Sequence, residues 1–91
     1  IIGGSVSAVD SAIKGSISAN MAGGTHHAFH HYGAGYCVFN DLAVSAYVAK
    51  RDFNIQKILI IDPDVHQGDG TASILKKDKN IFTFSMHCEK N

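Results

Sequence analysis

The stretch K-I-L-I-I-D-P-D-V-H, from Lys57 to His66, decides the fold. Its unbroken apolar run, Ile58 to Ile61, is typical of a strand that is buried on both faces inside a parallel sheet. Pro63 has no backbone N–H to donate, so regular strand pairing is expected to stop there. The polar side chains that follow are therefore expected just beyond the carboxyl end of a strand.

Helical patterns occur in three other segments. Ser5 can cap a first helix, whose apolar residues follow at helical spacing, and Gly15 suits the position just past its end. Asn40 or Asp41 can cap a second helix. A third, short helix is predicted over residues 71–77, after the glycines of H-Q-G-D-G.

Two further segments have extended patterns. Residues 17–21 alternate apolar and polar side chains, which predicts a strand, and residues 81–86 predict another. The resulting order is α-β-α-β-α-β, which implies right-handed βαβ units and a parallel sheet with helices on both faces. We therefore predict one α/β domain over residues 1–91, with ligands bound beyond the carboxyl ends of its strands.

Composition argues against several classes of function. Eight basic residues balance eight acidic ones and are scattered, so no nucleic-acid-binding patch is expected. No apolar run approaches the roughly 20 residues of a membrane span, and no signal peptide is recognisable. Cys37 and Cys88 form no C-x-x-C motif, so reduced thiols and a cytoplasmic location are expected. The chain begins with Ile rather than Met, which suggests that upstream residues are missing.

Three side chains able to bind a metal follow the central strand. Residues two apart in an extended chain point the same way, so Asp62, Asp64 and His66 can face one centre. Carboxylate oxygen and imidazole nitrogen are ligands for zinc and similar divalent metals. The alternative is a polar surface loop with a helix cap. A position directly after a buried strand favours the metal site.

Two adjacent histidines, His26 and His27, follow the glycines of G-G-T-H-H-A. In a loop both rings can approach one centre, and imidazoles can divide proton acceptance and donation. A solvent-exposed cluster is the alternative, which we favour for His30 and His31 downstream. Asp69, between two glycines, can cap the third helix, orient a histidine, or do both.

Three motifs together resemble the histone deacetylase family. They are G-G-T-H-H-A at residues 23–28, G-Y-C-V-F-N-D at 35–41 and I-D-P-D-V-H-Q-G-D-G at 61–70, in that family's order and spacing. The first is most similar to the bacterial and class IV branch, and acetoin-utilisation proteins and acetylpolyamine amidohydrolases share these motifs. The resemblance implies a three-layer αβα fold of the arginase/deacetylase type.

The resemblance also implies catalytic and substrate-binding residues. His26 and His27 match the family's tandem catalytic histidines, which are paired with carboxylates. A Gly carbonyl that accepts the substrate's amide N–H matches Gly35, and Tyr36 stands where the family usually has Phe in the acyl-lysine channel. The added hydroxyl of Tyr36 alters the fit of that channel. The paired carboxylates match Asp62 for the first histidine and Asp69 for the second.

Two metal sites are implied as well. Asp64 and His66 match two of the family's three protein ligands to zinc, a site that Fe²⁺ or Co²⁺ can also occupy. A potassium site behind the zinc matches Asp62, Asp64, His66 and Ser85. The third zinc ligand, an Asp, and a Tyr that polarises the acetyl carbonyl lie downstream in the family, beyond Asn91 of this chain.

The function implied is that of a metal-dependent hydrolase, which removes acetyl groups from acetyl-lysine or a related acetylated amine. Arginase-like hydrolases are a rival, but their ligand motif reads D-x-H-x-D where this chain has D-x-D-x-H. The other alternative is an inactive metal-binding or protein-interaction fragment, either part of a longer product or a truncated relic. Unpaired sheet edges would favour self-association.

Overall fold

A computed structural model describes residues 1–90 of the chain. This part contains the helices α1 (Ile2–Lys14), α2 (Asp41–Phe53) and α3 (Asp69–Leu75), and the strands β1 (Ile58–Asp62) and β2 (Ile81–Ser85). The two strands are parallel neighbours, with Ile58 opposite Ile81 and Asp62 opposite Ser85. The predicted α/β class and parallel sheet are confirmed.

Helix α2 begins and ends with side chains suited to those positions. The Asn40 side chain accepts a hydrogen bond from the Ala43 N–H (2.9 Å), so Asn40 is the cap rather than Asp41. Asp41 lies in the first turn, where a negative charge interacts favourably with the helix dipole. Asn54 follows the last turn in the left-handed conformation (φ +57°) and ends the helix.

The first helix starts earlier than predicted. Helix α1 begins at Ile2, so Ser5 lies inside it and its side chain is buried. The Ser5 hydroxyl donates to a carboxylate oxygen of Asp41 (2.5 Å). The prediction that Ser5 caps this helix is therefore wrong, because a partner distant in sequence takes its hydroxyl. Gly15 follows the helix, as predicted.

The strand predicted over residues 17–21 does not form. Its apolar side chains are open to solvent, with Ile17 91% and Met21 98% exposed. The prediction is wrong because an alternating pattern needs a neighbouring strand to satisfy its backbone, and none lies beside this segment within residues 1–90. Asn20 instead connects the segment to α1, because the Asn20 side chain donates a hydrogen bond to the Ser5 hydroxyl (2.9 Å).

The core lies on one face of the sheet, between the strands and the helices α2 and α3. Its buried members, and the side chains packed against them, are Ala43, Ala46, Leu75, Ile81, Ile58, Ile60 and Ile74. Side chains alternate across a strand, so the intervening residues point to the other face. This outer face is 49–65% exposed and consists of Leu59, Ile61, Phe82 and Phe84. The predicted burial of β1 on both faces is therefore not seen among residues 1–90, because α2 and α3 both pack on the same face.

The remaining bounds differ slightly from the prediction. Helix α3 spans Asp69–Leu75, two residues earlier than residues 71–77, and β2 ends at Ser85 rather than at Met86. Among residues 1–90, no helix has the length and apolar character that crossing a membrane requires.

Candidate active site

The candidate site lies at the carboxyl end of β1 and the beginning of α3. Asp62 is the last residue of β1, and Asp69 is the first residue of α3. The loop between α1 and α2 brings His26 and His27 into contact with these two carboxylates. Two elements that are adjacent in sequence therefore supply one carboxylate to each histidine.

His26 belongs to a buried pair. Its Nδ1 lies 2.5 Å from Oδ2 of Asp62, and the two side chains are only 7% and 12% exposed. Its Nε2 lies 3.2 Å from Oδ1 of Asp64. A carboxylate therefore lies against each ring nitrogen, which fixes the orientation of the imidazole.

His27 belongs to a more exposed pair. Its Nδ1 lies 2.9 Å from Oδ1 of Asp69, with side-chain exposures of 21% and 48%. Burial raises the pKa of Asp69, but hydrogen bonds from His27 and the Gly70 N–H outweigh it and hold the pKa below its usual range. Asp69 is thus a carboxylate acceptor at neutral pH. Gly68, rather than Asp69, occupies the cap position of α3.

The two imidazoles share one open cleft of about 390 Å³. Their ring centroids lie 4.2 Å apart, and the His66 ring stands edge-on to His27 at 6.0 Å. The cleft brings most of the predicted site residues together: it is lined by Gly24, His26, His27, Gly35, Tyr36, Cys37, Asp64 and His66. His30 and His31 are exposed and do not line it.

Gly35 lies directly against His27. Its φ is +53°, and a Cβ atom built on it would lie 2.5 Å from Cδ2 of the imidazole. Only glycine permits both this conformation and this approach. Tyr36 also has a positive φ, +64°, and its side chain is fully exposed beside the cleft. A positive φ is unusual for a bulky side chain, so this backbone conformation costs free energy that the surrounding contacts must offset.

Asp64 and His66 are placed where they could share a metal. Oδ1 of Asp64 lies 3.8 Å from Nδ1 of His66, and the two side chains are 42% and 54% exposed. Within residues 1–90, no three such side chains converge into a metal cluster. Asp62 does not join them: its carboxylate contacts His26 and accepts from the Asp64 N–H. Oδ1 of Asp64 also contacts His26, at Nε2 (3.2 Å), so it would have to leave that contact to bind a metal. The donor types fit zinc, but two protein ligands are one fewer than a catalytic zinc has.

Ser85 lies opposite Asp62 at the same edge of the sheet. Its hydroxyl accepts a hydrogen bond from the Gly68 N–H (3.2 Å) and lies 2.8 Å from Nδ1 of His87. The potassium site therefore stays a prediction, as do the catalytic roles of the residues that line the cleft.

The sequence did not reveal which residues bind the histidine loop, residues 24–28. It indicated only a helix cap for Asp41. Asp41 is 1% exposed, and its carboxylate accepts hydrogen bonds from the N–H groups of Gly24 and Thr25 and from the Ser5 hydroxyl. Burial raises the pKa of Asp41, but these hydrogen bonds outweigh it and the pKa lies below its ordinary value. No local pattern signals partners so far away in sequence.

The chain is similar to known proteins over nearly its whole length. The chain matches the model of the histone deacetylase domain over residues 1–91. It is 50% identical over 90 residues to an uncharacterized protein of Picosynechococcus, and 36% identical over 89 residues to the acetoin utilization protein AcuC of Staphylococcus aureus. It is also 36% identical over 88 residues to the polyamine deacetylase HDAC10 of Danio rerio.

These relatives are much longer than the chain. The three matches cover 99%, 96% and 93% of this chain but only 30%, 23% and 13% of the relatives. Solved structures of an HDAC homolog complexed with SAHA and of an HDAC homolog from Aquifex aeolicus each match with a TM-score of 0.85 and 37% identity. Each match covers 94% of this chain and 23% of the solved one, and confirms the predicted fold class.

Proposed function

The chain belongs to the histone deacetylase family, and we propose that it forms part of a metal-dependent hydrolase that removes acetyl groups from acetylated amines. One observation carries the proposal. Two adjacent histidines line a single cleft, and each contacts its own carboxylate through Nδ1. This arrangement suits a reaction that needs one proton acceptor and one proton donor near the same bond.

The proton transfers fall to His26 and His27 in this proposal. One imidazole takes a proton from the attacking water, and one delivers a proton to the leaving amine. Asp62 and Asp69 hold the rings in place through Nδ1 and stabilise the protonated form of each. Nε2 of each ring is then the nitrogen proposed to exchange protons with water or substrate, which for His26 requires that Asp64 give up its 3.2 Å contact with that atom.

Asp64 and His66 would hold the metal, together with a further ligand that residues 1–90 do not supply. Bound zinc, or Fe²⁺ or Co²⁺ in its place, would polarise the acetyl carbonyl and lower the pKa of a water molecule. The potassium site that the resemblance implies at Asp62, Asp64, His66 and Ser85 stays a prediction, because the Asp62 carboxylate and the Ser85 hydroxyl already have hydrogen-bond partners. The incomplete ligand set favours a second candidate for the isolated chain, which is a metal-binding or interaction module without activity.

The substrate would enter along Gly35 and Tyr36. The Gly35 carbonyl is proposed to accept the amide N–H of the substrate, and the exposed Tyr36 ring to pack on its alkyl stem. A structural relative was solved with SAHA, and another relative is called a polyamine deacetylase, which supports acetyl-lysine or an acetylated polyamine as substrate. We also propose a cytoplasmic location and self-association at the incomplete sheet.

Acetate release tests the proposal directly. The chain and its longest natural form are each incubated with an acetyl-lysine peptide and with an acetylated polyamine, with zinc and then with a chelator. Chelator-sensitive release by the longer form supports the deacetylase, and the preferred substrate identifies its class. Absence of release and of bound metal in both forms would leave only the interaction module.

A further inference from the structure

Two neighbouring residues form hydrogen bonds to both ends of the histidine loop without lining the cleft. We infer that Asn40 and Asp41 are positioning residues, which fix the backbone on either side of His26 and His27 and so set the direction of both rings. The effect on turnover rests on the proposed function. The attachment of the loop to these two residues rests on hydrogen bonds alone.

Asp41 holds the loop on the side that precedes the histidines. Its Oδ2 accepts from the Gly24 N–H (3.0 Å), and its Oδ1 accepts from the Thr25 N–H (2.8 Å). The Thr25 hydroxyl lies 2.9 Å from the same Oδ1, and the Ser5 hydroxyl donates to Oδ2 (2.5 Å). A carboxylate that is 1% exposed needs such donors, and the two residues before His26 supply two backbone N–H groups. The single proton of the Thr25 hydroxyl has a second and nearer acceptor in the Phe39 carbonyl (2.5 Å).

Asn40 holds the loop on the side that follows the histidines. Its Nδ2 donates to the carbonyl of Ala28 (3.1 Å) and to the hydroxyl of Thr71 in α3 (3.0 Å). Ala28 is fully buried and directly follows His27. Thr71 in turn donates its N–H to the His26 carbonyl (3.2 Å). The loop is thereby joined to both α2 and α3.

Only the two histidines lie between these attachments, so their rings have little freedom beyond their own side-chain torsions. The Asn40 side chain uses its two ends separately, because Oδ1 caps α2 while Nδ2 holds Ala28 and Thr71. This division allows the capping role and the positioning role to be separated by substitution.

The test uses the longest natural form of the protein with three variants. Asn40→Asp keeps the oxygen that caps α2 but removes the Nδ2 donor, and Asp41→Asn replaces one carboxylate oxygen by an amino group. Ile81→Ala is the control, because Ile81 is buried in the core at the opposite end of β2 and should lower stability alone. Kinetics, bound metal and amide hydrogen exchange are measured on folded protein.

We expect kcat to fall roughly 10- to 100-fold in Asn40→Asp and in Asp41→Asn, with KM and bound metal unchanged. Amide exchange should accelerate over residues 24–28 in both variants and not in Ile81→Ala. If either variant does not fold, Thr25→Val replaces it, because it removes one hydroxyl only. Its smaller loss of kcat should be restored by Thr25→Ser.

Two results would overturn the inference. One is a kcat per folded molecule that matches Ile81→Ala, and the other is unchanged exchange over residues 24–28. A wild-type protein without deacetylase activity would defeat the proposed function instead. Hydrogen exchange in the variants would then decide the inference alone. Faster exchange confined to residues 24–28 supports the positioning role, and unchanged exchange refutes it.

Discussion

The two histidine–aspartate pairs have the same atoms in contact but different surroundings. The His26–Asp62 contact is 2.5 Å long, between side chains 7% and 12% exposed, whereas His27–Asp69 is 2.9 Å long with exposures of 21% and 48%. In a buried site charges interact more strongly, and a group that loses its partner cannot turn to water. The comparison indicates that the inner pair, His26–Asp62, contributes more to stability than the outer pair, His27–Asp69.

Removal of the outer imidazole should have the largest effect on activity. In the longest natural form, His27→Ala is expected to lower kcat by roughly 10²- to 10⁴-fold, because a proton-transfer group is lost. Bound zinc should change little, and stability should change by less than about 1 kcal/mol because the pair is partly exposed. Steady-state kinetics, metal analysis and urea unfolding measure the three quantities. Loss of zinc would show that His27 is misassigned.

Removal of the inner imidazole, His26, should lower stability more than removal of His27. His26→Ala leaves the Asp62 carboxylate buried without its partner, which should lower the free energy of unfolding by about 3–5 kcal/mol. A double variant, His26→Ala with Asp62→Ala, should recover part of that loss, since no unpaired carboxylate remains. Urea unfolding of both proteins checks this. A single variant at least as stable as the double one would contradict the reasoning.

Gly35→Ala should disturb the outer pair alone. The added methyl would lie 2.5 Å from the His27 ring on a backbone with φ +53°, which should cost about 1–3 kcal/mol and displace the imidazole. Turnover should fall while the inner pair stays intact. Gly3→Ala is the matched control, because no atom lies within 4 Å of the added Cβ there. Equal activity of the two variants would refute the close approach.

The smallest effect concerns acid stability. The pKa of Asp41 is lowered in the folded protein, so its stabilising effect is present above its unfolded pKa and is lost as pH falls through the folded value. The free energy of unfolding should therefore decrease below about pH 4, and less steeply in Asp41→Asn. Asp69→Asn should change this slope less, because Asp69 is half exposed. Urea midpoints between pH 6 and pH 3 provide the comparison.

Sequence patterns predicted the elements whose signals are local. The apolar run before Asp62 became β1, and the polar residues beyond it line the cleft or support it. The alternating pattern over residues 17–21 predicted a strand as clearly as the apolar run did, but that prediction is wrong. A strand is stable only when it pairs with a neighbouring strand. A pattern of side chains indicates what a segment could form, not whether a partner lies beside it.

The sequence by itself determined the family, the parallel α/β class and the residues at the strand end, because motif spacing and hydrophobic pattern lie within short segments. The family resemblance implied that Asp62 is paired with His26 and Asp69 with His27, and tertiary structure decided how close and how buried each pair is. It also decided that Asp41 holds the loop before them. These contacts join residues that are distant along the chain, and only packing of the helices and sheet brings them within hydrogen-bonding distance.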